Sequence, residues 1–172
     1  GYPVVVKALG VAHKTEAGGV RLNLGNADQV SAALAEMSDL SETHLIEKMV
    51  DGIVAELIVG VSVDEQFGPY LLIGGGGILV EMIKDSRSLL LPVDREWVIQ
   101  AMEALQCAPL FHGFRGRPNA DLSAAADAIL AIAEYVEKGA TPIVELDVNP
   151  LMILEDGRGV VAADALIRTR EP

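Results

Sequence analysis

The stretch AHKTEAGGVRLNL, residues 12–24, places two cationic side chains and two glycines on one short loop. His13 and Lys14 precede Gly18 and Gly19, and an alternating apolar segment follows. A plain turn needs glycines, which tolerate left-handed backbone conformations, but it does not need the cations. A loop that handles phosphate groups uses both, because glycines let the backbone approach the phosphates and cations neutralise them. The stretch is therefore either a tight turn or a phosphate-binding loop.

A second candidate for chemistry is the C-terminal segment ELDVN. Side chains alternate between the two faces of a strand, so Glu145, Asp147 and Asn149 share one face. If Asp156-Gly157 are the central residues of a hairpin turn, Asn149 lies opposite Asp164, with Cβ atoms about 4.5–5.5 Å apart. Hard oxygen ligands without sulfur or imidazole nearby suit Mg²⁺, which typically takes one or two carboxylates plus substrate phosphates. A solvated sheet face, where carboxylates are common, explains the same pattern.

Two charged residues interrupt apolar strand patterns. Lys7 lies in PVVVKA, and Glu56 lies in the long apolar run from Ile53 to Val63. A buried lysine is costly unless its charge is compensated, and either a phosphate ligand or an internal carboxylate would compensate it. Glu56 could accept hydrogen bonds from a sugar hydroxyl. The glycine run Gly74 to Gly77 indicates a bend or a close backbone approach, and it matches neither a P-loop nor the dinucleotide fingerprint.

The elements that must position these residues are short strands and three helices. Asn26 can cap a helix from Ala27 to Met37, and Asp51-Gly52 is a strong hairpin signal between the strands beside it. Strands that pair locally, rather than alternating strictly with helices, predict an α+β fold. The predicted strands are Pro3–Ala8, Val20–Leu24, Leu45–Val50, Ile53–Val63, a strand after Phe67-Gly68-Pro69, Ile78–Ile83 and Pro142–Val148. The other predicted helices are Asp94–Leu105 and Asp121–Lys138.

Composition narrows the classes of function. The chain has 172 residues and a formal net charge of −12, which argues against a nucleic-acid groove and against an anionic membrane surface. A single cysteine, Cys107, excludes a disulfide framework and a thiolate zinc site, and it favours a reducing compartment such as the cytoplasm. The chain begins at Gly1 without an initiator Met and enters a strand almost at once, which suggests a piece of a longer protein.

Six motifs in order resemble one protein family: YPVVVKA, HKTEAGGVRLNL, AELIVGVSVDEQFGP, GGGGILVEMIKD, HGFRGRP and ELDVNPL. They are similar to the ATP-grasp domain of the NDP-forming acyl-CoA synthetases, such as ADP-forming acetyl-CoA synthetase, and distantly to the succinyl-CoA synthetase β subunit. The resemblance covers essentially the whole chain. It implies an ATP-grasp fold of two α+β lobes with the nucleotide between them and with the N-terminal part truncated.

The resemblance implies a role for each matching position. Lys7 would contact the ATP phosphates, and the loop through Gly18 and Gly19 would be a glycine-rich flap over them. Glu56 would contact the ribose. The adenine would be held at the hinge, mainly by backbone groups, by Glu47, Lys48, Met49 and Val50. Mg²⁺ would be held by Asn149 and Asp164, with Asp147 close by.

His13 would be the catalytic residue that the resemblance implies, a carrier that accepts a phosphoryl group and passes it to ATP or ADP. Neutral imidazole is a nucleophile, and Lys14, the metal and backbone N–H groups can neutralise the transferring oxygens. The implied reaction is acid + ATP + CoA ⇌ acyl-CoA + ADP + phosphate, through an acyl phosphate and phosphohistidines. Residues 1–50 would form the partial N-terminal lobe with the phosphate flap, and residues 51–172 the C-terminal lobe with the metal-binding strand and hairpin.

The implied partners are CoA-binding and ligase domains, in the same or a separate chain, which would carry the CoA site. The intact enzyme would be an oligomer, and this fragment would be inactive alone. A competing interpretation is a non-catalytic regulatory module fused to an acetyltransferase, since the same domain type occurs there. A plain acidic interaction domain would explain the glycines but not the ordered set of Lys7, His13, Glu56 and Asn149.

Overall fold

The computed structural model describes residues 1–11, 14, 17–77, 85–139 and 142–169. The chain divides into two compact units, Gly1–Asp51 and Gly52–Pro172. His13 and the predicted strand Ile78–Ile83 lie outside the described residues. None of the described helices has the length and apolar composition that crossing a membrane requires.

The first unit is a three-stranded antiparallel sheet with one helix. The strands are β1 (Val4–Ala8), β2 (Val20–Leu24) and β3 (His44–Lys48), in the order β2-β1-β3, and the helix is α1 (Ala27–Glu36). Asn26 caps α1 as predicted, because its side chain accepts a hydrogen bond from the Gln29 N–H at 3.0 Å. The fully buried residues Val6, Ala8 and Met37 form the centre of this small core.

The predicted hairpin at Asp51-Gly52 is wrong. Gly52 adopts a left-handed conformation with φ of +70°, as a tight turn requires. The strand before it, β3, pairs with β1, whereas the strand after it belongs to the other sheet. A turn signal reports local backbone conformation, and it does not determine which strands the two flanking segments pair with.

The second unit is a six-stranded antiparallel sheet with two helices. Its order is β6-β5-β4-β7-β8, and β9 also pairs with β7. The strands are β4 (Ile53–Asp64), β5 (Gly68–Gly75), β6 (Ser86–Leu90), β7 (Ile143–Leu154), β8 (Val160–Ala162) and β9 (Ala165–Thr169). The helices are α2 (Arg95–Glu103) and α3 (Leu122–Lys138), with 3-10 turns at Ala108–Phe111 and Phe114–Gly116.

One face of this sheet packs against α2 and α3 and forms the main core. Alternating apolar residues of the strands are buried on this face, and each fully buried Val, Leu or Ile stabilises the fold by roughly 1.5–3 kcal/mol. The core includes Leu57, Val59, Val61, Leu71, Ile73, Leu146 and Val148 from the strands and Val98, Met102, Ala125 and Ile129 from the helices. Strand alternation therefore directs the intervening side chains of β4 and β7 to the face opposite the helices.

Candidate functional site

The hairpin of β7 with β8 and β9 has the predicted register. Leu151 faces Ala162 and Val148 faces Ala165, so Asn149 lies opposite Asp164. The Asn149 N–H donates a hydrogen bond to the Asp164 carbonyl oxygen at 3.2 Å. Asn149 on β7 is therefore directly opposed to Asp164, which lies between the ends of β8 and β9.

The turn of this hairpin also forms at the predicted residues. Asp156 and Gly157 are its central residues, because the Arg158 N–H donates to the Glu155 carbonyl oxygen at 2.9 Å. Gly157 has φ of +77°, a conformation that glycine adopts without strain. This turn chemistry sets the register of the whole hairpin.

A β-bulge lies at the candidate metal position. On β4, Leu57 pairs with Leu151 and Val59 pairs with Val148. Ile58 is therefore the single residue of β4 opposite two residues of β7, Asn149 and Pro150. A bulge bends its strand and changes the direction of a side chain, and bulges are common beside active sites. The sequence signal for it was the proline, which cannot donate a ladder hydrogen bond.

The face opposite the helices carries three carboxylates spread along β4 and β7, Glu56, Glu145 and Asp147, and we call it the carboxylate face. Asp147 pairs with Gly60 across β4, and a Cβ at Gly60 would lie 3.7 Å from the Asp147 Oδ1 atom. Glu145 forms an ion pair with Arg168 of β9 at 2.8 Å. Gly60 thus keeps the space beside Asp147 free of a neighbouring side chain on β4.

The environment of Asp147 disfavours its ionised form. Burial raises the pKa of the Asp147 carboxyl, and the nearby negative charges of Glu145 and Asp164 raise this pKa further. A cation bound beside Asp147 would offset the cost of ionising this carboxyl, because it would compensate the negative charges of Asp147, Glu145 and Asp164.

The oxygen donors of Asn149, Asp164 and Asp147 fit a hard cation. Among the described residues, no three His, Cys, Asp or Glu side chains form a group that could hold a metal ion alone. The candidate ligands are instead one amide oxygen and one or two carboxylates, from Asn149, Asp164 and Asp147. Mg²⁺ is commonly bound in this way, since it completes its octahedral shell with water and substrate phosphates.

In the first unit, the structure brings Lys7 and Glu47 together. Lys7 Nζ lies 2.6 Å from Glu47 Oε2, between the neighbouring strands β1 and β3. The Lys7 side chain is 13% exposed. An internal carboxylate therefore compensates the buried lysine, which was one of the two alternatives left open by the sequence.

The glycine loop packs closely onto the end of β1. The Gly19 N–H donates to the Lys14 carbonyl oxygen at 2.6 Å, and the Ala8 N–H donates to the Gly19 carbonyl oxygen at 2.8 Å. Gly18 has φ of +72°, and Arg21 Nη1 donates to its carbonyl oxygen at 2.7 Å. A Cβ at Gly19 would lie 3.1 Å from the Lys14 carbonyl oxygen, a tight contact that would displace the loop by a few tenths of an ångström.

The predicted hinge residues follow one another at the end of β3. Glu47 and Lys48 close the strand, opposite Val5 and Val4 of β1. The Met49 N–H then donates to the Pro3 carbonyl oxygen at 3.1 Å, and Val50 continues the chain without regular secondary structure.

Glu56 lies beside the glycine run. The Gly76 N–H donates to the Glu56 carbonyl oxygen at 2.7 Å, and a Cβ at Gly76 would lie 2.9 Å from Glu56 backbone and side-chain atoms. The run therefore marks a close backbone approach, as predicted. A Cβ added at Gly77 would lie 3.7 Å from Glu56 Oε2, so the glycine leaves space beside this carboxylate.

Sequence reasoning missed two participants in the site. Arg168 pairs with Glu145, but its place depends on β9 pairing with β7. Gly60 makes room beside Asp147, and its one local signal was a glycine in the middle of an apolar strand.

Comparison with known proteins places these features in a family. The ATP-grasp domain family matches residues 1–169. A trans-feruloyl-CoA synthase from an unknown prokaryotic organism is 38% identical over 97% of this chain and 25% of its own length. The β subunit of ADP-forming acetate–CoA ligase I from Pyrococcus furiosus is 31% identical over 96% of this chain and 74% of its own length. The chain thus spans about a quarter of the first relative and about three quarters of the second.

A solved structure has the same fold. It is the dinucleotide-forming acetyl-coenzyme A synthetase 1 of Ca. Korarchaeum cryptofilum, in complex with coenzyme A and Mg-AMPPCP, with its phosphohistidine segment pointing towards the nucleotide-binding site. It superposes with a TM-score of 0.82 at 31% identity, over 99% of this chain and 78% of that chain. The chain belongs to the ATP-grasp domain family and is homologous to the β subunits of ADP-forming acetate–CoA ligases.

Proposed function

We propose that this chain is the nucleotide-binding, phosphoryl-transfer part of an ADP-forming acid–CoA ligase. The observation that carries the proposal is the opposed pair Asn149 and Asp164, set by the hairpin register beside Asp147. This arrangement supplies the amide and carboxylate oxygens that a magnesium-bound nucleotide requires. The overall reaction would convert an acid, ATP and CoA into acyl-CoA, ADP and phosphate.

Residues of the first unit would bind the phosphate groups. Lys7 supplies a cation on β1, and the loop through Gly18 and Gly19 follows close to the end of the same strand. Glycines allow this loop to approach phosphates with its backbone N–H groups. The hinge residues Glu47 to Val50 would hold the adenine through backbone groups, since β3 lies at the edge of its sheet.

Residues of the second unit would bind the metal and the ribose. Asn149 and Asp164 would hold Mg²⁺, with Asp147 as a nearby carboxylate, and Glu56 would accept a hydrogen bond from the ribose. When bound, Mg²⁺ would neutralise the charge of the transferring phosphoryl group and align the nucleotide.

His13 would be the phosphoryl carrier. Neutral imidazole attacks the γ-phosphorus, the bond to the bridging oxygen breaks, and ADP leaves with that electron pair. Lys14, next to it in the chain, would stabilise the charge on the transferring oxygens. Support comes from the phosphohistidine segment named in the homologous synthetase.

The acid and CoA would be bound mainly by partner domains. The two relatives named above act on different acids, ferulate and acetate, although both are similar to nearly the whole of this chain. An acid-selecting pocket outside this chain explains that difference. CoA-binding and ligase domains, in the same or a separate chain, are therefore the proposed partners, in an oligomeric enzyme of the cytoplasm.

Calorimetry tests the metal assignment. Asp164→Asn and Asn149→Ala should each weaken MgADP binding by about tenfold or more, because each removes a metal ligand or its charge. Binding of ADP in EDTA should change far less in both variants. Asp156→Asn, an equivalent charge change at the tip of the same hairpin, is the matched control and should bind like the wild type. Undiminished metal dependence in both site variants would refute the assignment.

A further inference from the structure

The glycine run at the end of β5 lies between the backbones of two acidic residues. On one side, the Gly76 N–H donates to the Glu56 carbonyl oxygen of β4 at 2.7 Å. On the other side, the Gly75 N–H donates to the carbonyl oxygen of Asp85, the residue just before β6, at 3.1 Å. Two hydrogen bonds from adjacent glycines therefore connect the backbone of Glu56 to that of Asp85.

The Asp85 side chain is anchored in the interior of the second unit. It is 4% exposed. Its Oδ2 atom accepts a hydrogen bond from the Gln106 N–H, in the segment after α2, at 2.5 Å. Its Oδ1 atom lies 3.4 Å from Arg87 Nη1, and Arg87 also donates to the Ala104 carbonyl oxygen. Asp85 therefore fixes the start of β6 to the end of α2 and the segment that follows it.

The glycine run depends on such an anchor, because glycine has the widest conformational freedom of all residues. A Cβ at Gly76 would lie 2.9 Å from Glu56 atoms, and a Cβ at Gly77 would lie 3.7 Å from Glu56 Oε2. The position of this backbone thus sets the space in which the Glu56 carboxylate can turn. A displacement of the run would also move the Glu56 backbone through the hydrogen bond from Gly76.

We propose that Asp85 is a positioning residue for the ribose-binding carboxylate of Glu56. The inference rests on the proposed function, in which Glu56 accepts a hydrogen bond from the ribose. Asp85 acts through the glycine run, since its own carboxylate is buried and held by Gln106 and Arg87. A hydrogen bond weakens steeply when its distance or angle departs from the optimum, so a small displacement of Glu56 is enough to weaken the contact.

The ribose contact can be measured by comparing ADP with 2′,3′-dideoxy-ADP, which lacks both ribose hydroxyls. In the presence of Mg²⁺, the wild type should bind ADP at least about tenfold more tightly than the dideoxy nucleotide. Glu56→Ala should reduce this preference to about twofold or less, because it removes the acceptor. Calorimetry at fixed ionic strength gives both affinities.

Asp85→Asn tests the inference, because asparagine keeps an acceptor for the Gln106 N–H and removes the charge facing Arg87. The preference for ADP should fall to about threefold in this variant, and to about twofold or less in Asp85→Ala, which removes both contacts. Binding of the dideoxy nucleotide should change by less than about twofold in Asp85→Asn. A residue that only supports the fold would weaken binding of both nucleotides in equal proportion. Asp85→Asn decides the question if Asp85→Ala does not fold.

Combining the substitutions gives a second readout. Asp85→Asn together with Glu56→Ala should lose no more of the preference than Glu56→Ala alone, because both act on one contact. Full additivity of the two losses would show that Asp85 acts on the ribose by another route, and it would contradict the inference.

Asp64→Asn is the matched control. Asp64 lies at the end of β4, and its side chain also accepts backbone hydrogen bonds, from the Gln66 N–H at 2.8 Å and the Phe67 N–H at 2.9 Å. Its loop lies at the opposite end of β4 from the glycine run. The preference for ADP should therefore change by less than about twofold in this variant.

Three further results would overturn the inference. An unchanged preference in Asp85→Asn, whether both affinities fall together or stay as they are, would show that Asp85 does not position Glu56. An unchanged preference in Glu56→Ala would show that Glu56 does not bind the ribose, although ADP binding would stand. Absence of ADP binding by the wild type in Mg²⁺ would overturn the proposed function itself, and this result is distinct from the other two.

Discussion

Asp147 is a carboxylate whose ionisation the folded protein disfavours. Burial and the charges of Glu145 and Asp164 raise its pKa, so ionising Asp147 in the folded protein carries a cost in stability. Such a cost is common at functional sites, where perturbed groups are retained for binding or catalysis.

Asp147→Asn should therefore stabilise the protein at neutral pH when metal is absent. The expected result is a higher melting temperature in EDTA, and a smaller rise in melting temperature on addition of MgADP than in the wild type. Thermal melts followed by circular dichroism measure both quantities. Asp39→Asn, at an exposed position in the turn after α1, serves as the control for the change in net charge. A lower melting temperature of Asp147→Asn in EDTA would contradict this account of Asp147.

At the level of elements, Asp121 ties a helix to the hairpin that carries Asn149 and Asp164. Its side chain caps α3 by accepting from the Ala124 N–H at 3.0 Å, and it also accepts from the Gly159 N–H at 2.9 Å. Its own N–H donates to the Leu154 carbonyl oxygen at 2.9 Å. One buried residue thus joins the start of α3 to both sides of the hairpin turn.

Asp121→Ala should lower the free energy of unfolding by more than an ordinary cap loss of about 1 kcal/mol. The comparison is Asp94→Ala, which removes only the cap of α2, where Asp94 accepts from the Trp97 N–H at 2.9 Å. Urea titrations of both variants give the difference, which is assigned to the contact with Gly159. Equal losses in the two variants would show that this contact adds nothing.

The same residue should make the protein sensitive to acid. Hydrogen bonds from the Ala124, Gly159 and Gly157 N–H groups lower the pKa of Asp121 below its ordinary value of 3.8. A lowered pKa in the folded state contributes stability that is present above the ordinary value and is lost as the pH falls through the lowered one. The stability gap between wild type and Asp121→Ala should therefore narrow on acidification below about pH 4. Urea titrations at several pH values measure this gap, and a constant gap would contradict the assignment.

The glycine run is a second feature at this scale. Gly76→Ala should destabilise the second unit, because its Cβ would lie 2.9 Å from Glu56 backbone atoms, which cannot move without disturbing β4. Gly25→Ala is the control, since its Cβ would meet nothing closer than the Gln29 Oε1 atom at 3.5 Å. We expect a loss of about 1–3 kcal/mol for Gly76→Ala and little change for Gly25→Ala in urea titrations. Equal stability of the two variants would contradict the close approach at Gly76.

At the level of the whole molecule, the chain has a net charge of −12 and yet is proposed to bind a polyanion. Local cations and a bound metal can outweigh the global field because salt screens charges beyond about 10 Å. The chain also spans only part of its relatives, about a quarter of the feruloyl-CoA synthase. Turnover should therefore be measured on the intact protein that includes the proposed partner domains.

His13→Ala and His13→Gln should almost abolish turnover of that intact protein. Loss of one ground-state contact typically costs about 1–3 kcal/mol, whereas loss of a covalent carrier removes the route of the reaction. Acid-labile labelling from γ-³²P-ATP should disappear from this chain in both variants. The control is His112→Gln, because His112 pairs with Glu103 at 2.9 Å on the surface and is not assigned to the site. Near-normal turnover in either His13 variant would mean that His13 is a structural loop residue.

Features that depend on neighbouring residues could be predicted from the sequence. The cap at Asn26, the helices predicted from Asp94 and Asp121, the turn at Asp156-Gly157 and the opposition of Asn149 and Asp164 all follow from short-range hydrogen bonding and strand alternation. Because the turn itself sets the register of a hairpin, that register can be predicted without knowing where distant segments of the chain lie. The motif resemblance then supplied the family, which the comparisons confirm.

The tertiary structure decided what depends on distant segments. The local signal at Asp51-Gly52 predicted a hairpin, but β3 pairs with β1 whereas β4 pairs with β5 and β7, so the two strands belong to different sheets and do not pair. The bulge at Asn149, the space at Gly60 and the pairing of Lys7 with Glu47 each require two strands whose association no local pattern encodes. The pairing of strands that are far apart in sequence depends on the whole sheet. The backbone hydrogen bonds of all its strands must be satisfied together, and the apolar side chains must be buried in the same arrangement.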